Sequence, residues 1–251
     1  MRVRIPRHKP RTEMSLTEHL AELRRRLIVA VVTVAVAAVA GYFIYPWLLA
    51  LLMRPLCQVS GSGGCSLYVT GPFDGFSTRL KVGGVFGLFA ASPIVLWQLW
   101  GFVSPGLERR ERRISALLSL PAALLFVSGA VVAYLVFPFA LRFLQGAAGA
   151  RVHAIYTPQS YLFFLLLLMV IFGVAFLFPV VLTGLELLGV VTPEQLVKRR
   201  RVAWFGIILA VAIFIPTNDP YSLTALTVPL VLFYEASIVV GRLARRRLSA
   251  A

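Results

Sequence analysis

Tyr161-Leu162-Phe163-Phe164-Leu165-Leu166-Leu167-Leu168-Met169-Val170-Ile171-Phe172-Gly173-Val174-Ala175-Phe176-Leu177-Phe178-Pro179-Val180-Val181-Leu182 carries no charged side chain. An apolar run of about 20 residues is what a helix needs to cross the hydrocarbon layer of a bilayer. Similar runs lie on both sides, at 27–49, 76–102, 114–139, 202–215 and 222–241, while the central one extends over 161–191. The whole chain of 251 residues is 59% hydrophobic and only 14% charged. A soluble domain would carry about 25% charged residues. The fold expected is all-α: a polytopic membrane protein of six transmembrane helices.

The 202–215 run is the awkward one, because 14 residues could also form a re-entrant segment. Charge decides for a crossing. Of 25 Lys and Arg, 20 fall in four clusters: before the first run (Arg2 to Arg26), after the second (Arg109 to Arg113), after the fourth (Lys198 to Arg201) and after the last (Arg242 to Arg247). Only Arg54, Arg79, Lys81, Arg142 and Arg151 lie in the alternate loops. Positive charge marks the cytoplasmic side, which puts both termini inside and requires the short run to cross. The net charge of +15 is therefore a topological signal. A nucleic-acid surface would spread its cations over one face and interleave stacking aromatics, so no nucleic-acid partner is expected.

Residues 1–14 are polar, basic and interrupted by Pro6 and Pro10, and read as a disordered cytoplasmic arm, with Met14 as an alternative start. Residues 15–241 form the membrane domain, and 242–251 a basic cytoplasmic tail. Ser15-Leu16-Thr17-Glu18 fits a capping box. Leu16, Leu20, Leu23 and Leu27 make one apolar stripe on the helix that follows, which is expected to lie along the inner surface and then turn into the first span. Pro46, Pro93, Pro121, Pro138, Pro179 and Pro229 fall within or beside the spans. Each removes a backbone hydrogen bond, tolerable in lipid only where a neighbour satisfies the freed carbonyl. A bent, concave bundle follows. Cys57 and Cys65 share the first external loop, where either a disulfide or two free thiols would be compatible with the sequence.

Candidate chemistry is sparse. His8, His19 and His153 are scattered, no metal or nucleophile signature occurs, and neither an enzyme, a cofactor nor a metal is expected. A small-molecule transporter would place polar groups at mid-membrane in several spans, and these spans are almost wholly apolar. Ten acids remain. Glu22 and Glu111 sit among arginines near the inner surface, either simply offsetting them or forming a receptor for a cationic ligand, since guanidinium pairs with carboxylate in bidentate fashion. Glu186 and Glu235 lie inside spans, where an acid is costly and points to function unless it is wetted at the headgroup level, the reading favoured for Glu186.

His19-Leu20-Ala21-Glu22-Leu23-Arg24-Arg25-Arg26-Leu27 resembles the amino-terminal signature of TatC, the multispanning subunit of the twin-arginine translocase. Gln98-Leu99-Trp100-Gly101-Phe102-Val103-Ser104-Pro105-Gly106-Leu107, with Glu111-Arg112-Arg113, resembles that family's first cytoplasmic loop. Phe172 to Phe176 with Pro179, then Thr192-Pro193-Glu194-Gln195-Leu196, and Asp219 extend the likeness over most of the chain.

The resemblance implies a receptor for export signals in the cytoplasmic membrane. Glu22 and Glu111 would bind the signal's paired arginines, Phe102, Pro105, Arg112 and Arg113 would shape the same patch, and His19, Arg24 and Leu27 would contribute less. Pro55 and Asp219 match an external proline and an external acid. Implied partners are twin-arginine signal peptides, the single-span TatA and TatB subunits, membrane lipid and further copies within the receptor complex. One departure stands out. Many members carry a polar residue where this chain has Leu177, and Glu186, nine residues on, would face nearly the opposite side of the helix.

Overall fold

The computed structural model describes residues 16–60, 65–103, 109–148, 155–187, 191–215 and 219–249. Within them the chain forms α1 (Leu16–Phe43), α2 (Tyr45–Ser60), α3 (Asp74–Val103), α4 (Arg109–Ala148), α5 (Pro158–Phe176), α6 (Phe178–Leu187), α7 (Pro193–Lys198), α8 (Arg200–Phe214) and α9 (Pro220–Ser249). Among the described residues, five stretches are long and apolar enough to span a bilayer: Leu20–Phe43, Asp74–Gly101, Ser119–Ala147, Pro158–Glu186 (α5 and α6 together) and Pro220–Val239. Helix α8, with 15 residues, is the short sixth. At 1.5 Å per residue it covers about 22 Å, less than a full hydrocarbon thickness.

Where lipid supplies no hydrophobic drive, helices meet by close packing of small residues. Helix α1 lies along α3 in this way. A Cβ on Gly87 would come within 2.6 Å of the Ala38 backbone nitrogen and 2.7 Å of the Val34 carbonyl oxygen, and Gly41 faces Gly83 just as closely. Helices α4 and α5 repeat the arrangement, with Gly129 against the Phe172 carbonyl and Gly173 against the Phe126 ring. The core proper runs through α2, α4, α5 and α9, with Phe137, Leu162, Leu165, Phe172, Leu226 and Ile238 at its centre.

Three prolines show how their freed carbonyls are satisfied. Pro46 offers no N–H to Tyr42, and the Tyr42 carbonyl accepts instead from Arg79 Nε of α3 at 2.9 Å. Pro55 leaves the Leu51 carbonyl, which accepts from Tyr134 Oη of α4 at 2.8 Å. Beside it the Tyr161 hydroxyl accepts from Leu56 N at 3.1 Å and donates to the Leu52 carbonyl at 3.0 Å, so it is inserted into the helix ladder. Pro93 leaves the Phe89 carbonyl, taken by Ser92 Oγ at 2.7 Å.

Two expectations need correction. Helix α1 is continuous from Leu16 to Phe43, without a turn between a surface segment and a span. The first apolar run is also cut at Ile44: the span ends at Phe43 and α2 begins anew at Tyr45. Pro46, by breaking the ladder to Tyr42, is the physical cause of that cut. The fourth span is similarly divided at Leu177, two residues before Pro179.

Candidate functional site

Glu22 and Arg26 are one helical turn apart on α1, the spacing at which side chains meet. Arg26 donates through Nε (3.0 Å) and Nη2 (2.5 Å) to the same Oε1 of Glu22. Its third nitrogen, Nη1, reaches across to α3 and donates to the Gln98 carbonyl at 3.3 Å. The guanidinium lies over Gly101, in the space a Cβ there would need. Both side chains are mostly covered, 18% exposed for Arg26 and 24% for Glu22. Arg24, Arg25 and Leu27 are exposed on the same turns. The chain leaves α3 at Val103 and starts α4 at Arg109, so Glu111, Arg112 and Arg113 lie in the first turns of the next helix, where the macrodipole favours a carboxylate. Helix α3 packs against α4, which keeps that helix start at the end of the bundle where Arg26 meets α3.

Pro105 and Ser15 lie outside the described residues, as do the side chains of His19, Phe102, Glu111, Arg112 and Arg113. The structure therefore brings Glu22 to Arg26 and α3, and carries Glu111 on the adjoining helix. The Arg26 contribution was missed in the sequence, although the four-residue spacing from Glu22 was a usable signal.

A second charged group lies where α6, α7, α8 and α9 meet. Arg200 Nη2 pairs with Glu235 Oε2 at 2.6 Å, linking α8 to α9, and Tyr234 Oη donates to the Leu196 carbonyl at 2.8 Å, linking α9 to α7. Glu186 is 9% exposed and packs against Gly241, where a Cβ would come within 2.5 Å of its Oε2. The closeness of α6 to α9, made possible by glycine, encloses its carboxylate within the protein. An apolar cavity of about 640 Å³ opens between α5, α8 and α9, lined by Val174, Gly206, Ala210, Phe214 and Leu230 among others.

At the other end of the bundle, Asp219 is fully buried and its Oδ1 accepts from Ser222 N at 2.7 Å, capping α9 just before Pro220. Pro55 is buried in α2. Cys57 and Cys65 are joined as a disulfide, with Cα atoms 4.8 Å apart. Leu177 stands at the α5/α6 break and packs against a small apolar cluster that includes Leu96 and Phe126. Among the described residues no group of three or more His, Cys, Asp or Glu gathers as a metal site.

These features define a polytopic helical membrane protein whose charged groups collect at the helix ends. The model for Sec-independent protein translocase protein (TatC) matches residues 18–229. Relatives of that name are 34% identical in Frankia casuarinae (95% of this chain, 68% of the relative), 36% in Aquifex aeolicus (93% and 97%) and 38% in Halalkalibacterium halodurans (94% and 92%). A crystal structure described as the twin arginine translocase receptor TatC superimposes with a TM-score of 0.73 at 33% identity, covering 89% of this chain and 99% of that one. The chain belongs to the TatC family, and it is a membrane-embedded component of a Sec-independent protein translocase.

Proposed function

We propose that this chain is the signal-peptide receptor and core subunit of its translocase. Signals with paired arginines dock at the end of the bundle formed by α1, the end of α3 and the start of α4, which faces the cytoplasm together with both termini. The observation that carries the reading is chemical: Glu22 already holds a guanidinium in a mostly covered setting beside α3. A carboxylate that accepts one guanidinium there can accept another in its place, and charge-assisted pairs of this kind are the stronger hydrogen bonds. Glu111 supplies the second negative charge for the second arginine.

The apolar segment of the signal then follows the bundle into the membrane. Single-span TatA and TatB subunits gather beside α8 and α9, where the apolar cavity between α5, α8 and α9 suits a helix without charged side chains. The folded cargo moves under the proton-motive force, and no covalent step belongs to this chain. The test is site-specific crosslinking of a twin-arginine signal peptide in membranes. Glu22→Gln and Glu111→Gln should each weaken crosslinking while leaving membrane insertion intact; normal crosslinking in the double variant would remove the site.

A further inference from the structure

The guanidinium on Glu22 is the chain's own. Arg26 presents to Glu22 the same group that an arginine of an export signal would present, so the two cannot share Oε1 in the same geometry. We infer that Arg26 is an internal stand-in for the signal's arginine, occupying Glu22 until cargo displaces it; this rests on the receptor reading of Glu22 given above.

Three features support displacement over a fixed clasp. The pair is local, within one turn of one helix, so releasing it gives up the contact to the Gln98 carbonyl but leaves the close glycine packing of α1 on α3 in place. A part-exposed ion pair at this spacing is weak, and an incoming arginine replaces it in kind. On α3, Arg26 donates to the Gln98 carbonyl at the long distance of 3.3 Å and rests against Gly101. Gly101 is what admits the guanidinium, because any larger residue would fill its seat. Resting occupancy has a physical benefit, since a mostly covered carboxylate left without a cation would bear the cost of desolvation. The stand-in thus keeps the receptor neutralised and raises the threshold for ligands that engage Glu22.

Two substitutions release the lock by different routes. Arg26→Gln removes the charge, whereas Gly101→Ala leaves every charge in place and fills the seat. The measurement is the affinity of the full chain, in nanodiscs, for a fluorescent peptide bearing Arg-Arg followed by an apolar segment. Each variant should tighten binding about threefold, the worth of a part-exposed ion pair. In a Glu22→Gln background neither should have any effect. Tightening by Arg26→Gln that persists in that background would mean Arg26 acts only as a distant like charge, and would overturn the proposal. Weaker binding by Arg26→Gln, or unchanged binding by both variants, would overturn it too, making Arg26 a positioning residue or a bystander. Unchanged binding by Glu22→Gln alone would remove the receptor reading itself, a separate failure. Should Arg26→Gln not fold, Gly101→Ala decides alone.

Discussion

The two edges of the bundle use small residues to opposite ends. Along α1 and α3, Gly41, Gly83 and Gly87 face backbone on the other helix, and the helices close to the limit of van der Waals contact. Along α8, Gly206 faces open space, with no atom within 4 Å of where its Cβ would stand, and Ala203 and Ala210 line the same cavity. A glycine draws helices together only when the partner presents a surface that fits it. Where the partner stands off, the same residue widens a groove. The first edge is held by close backbone fit, with Arg79 to the Tyr42 carbonyl and Arg26 to the Gln98 carbonyl toward its two ends, whereas the second stands off and is tied by Arg200 to Glu235 and Tyr234 to the Leu196 carbonyl.

That contrast breaks most readily at Gly87. Gly87→Ala would push a methyl into the Ala38 and Val34 backbone, which cannot move aside as a side-chain end could. Overpacking of this kind should cost about 2 kcal/mol, seen as a lowered unfolding midpoint in detergent. A neutral result would show that α1 rides loosely on α3. Gly206→Ala sharpens the other side and carries the smaller effect. Its methyl meets nothing, and replacing a helix-interior glycine should raise stability by about 0.5 kcal/mol. A clear loss in the same unfolding assay would mean that the cavity closes on that residue in the membrane.

Much of the fold is legible in the sequence, because a bilayer forces each crossing to declare itself as an apolar run. The short α8 and the division of the fourth span near Pro179 follow from length and from proline chemistry. The Tyr45 start of α2 is hidden, since the apolar run continues through Trp47, Leu48 and Leu49 and only Pro46 hints at the cut. Continuity of α1 is hidden for a different reason. A leucine stripe says which face is apolar, and it says nothing of whether the helix axis bends on entering the membrane.

Of the site, Glu22 is legible as a carboxylate among arginines, and its spacing to Arg26 marks a helical pair. The seat on Gly101 is not, because it depends on the register of α1 against α3, set by glycines some four turns away. Glu186 misleads by composition alone: an acid near the end of a span looks wettable, and only the approach of Gly241 shows it enclosed. Leu177, by contrast, packs against an apolar cluster that includes Leu96 and Phe126.

The central claim is that the arginine pair of an export signal is received where α1 meets the end of α3. Photoreactive residues placed at the exposed positions Leu20 on α1 and Leu99 on α3, with Phe73 at the opposite end as control, test it directly. A twin-arginine peptide should attach at Leu20 and Leu99 and not at Phe73. Attachment confined to Phe73, or equal at all three, would contradict the account.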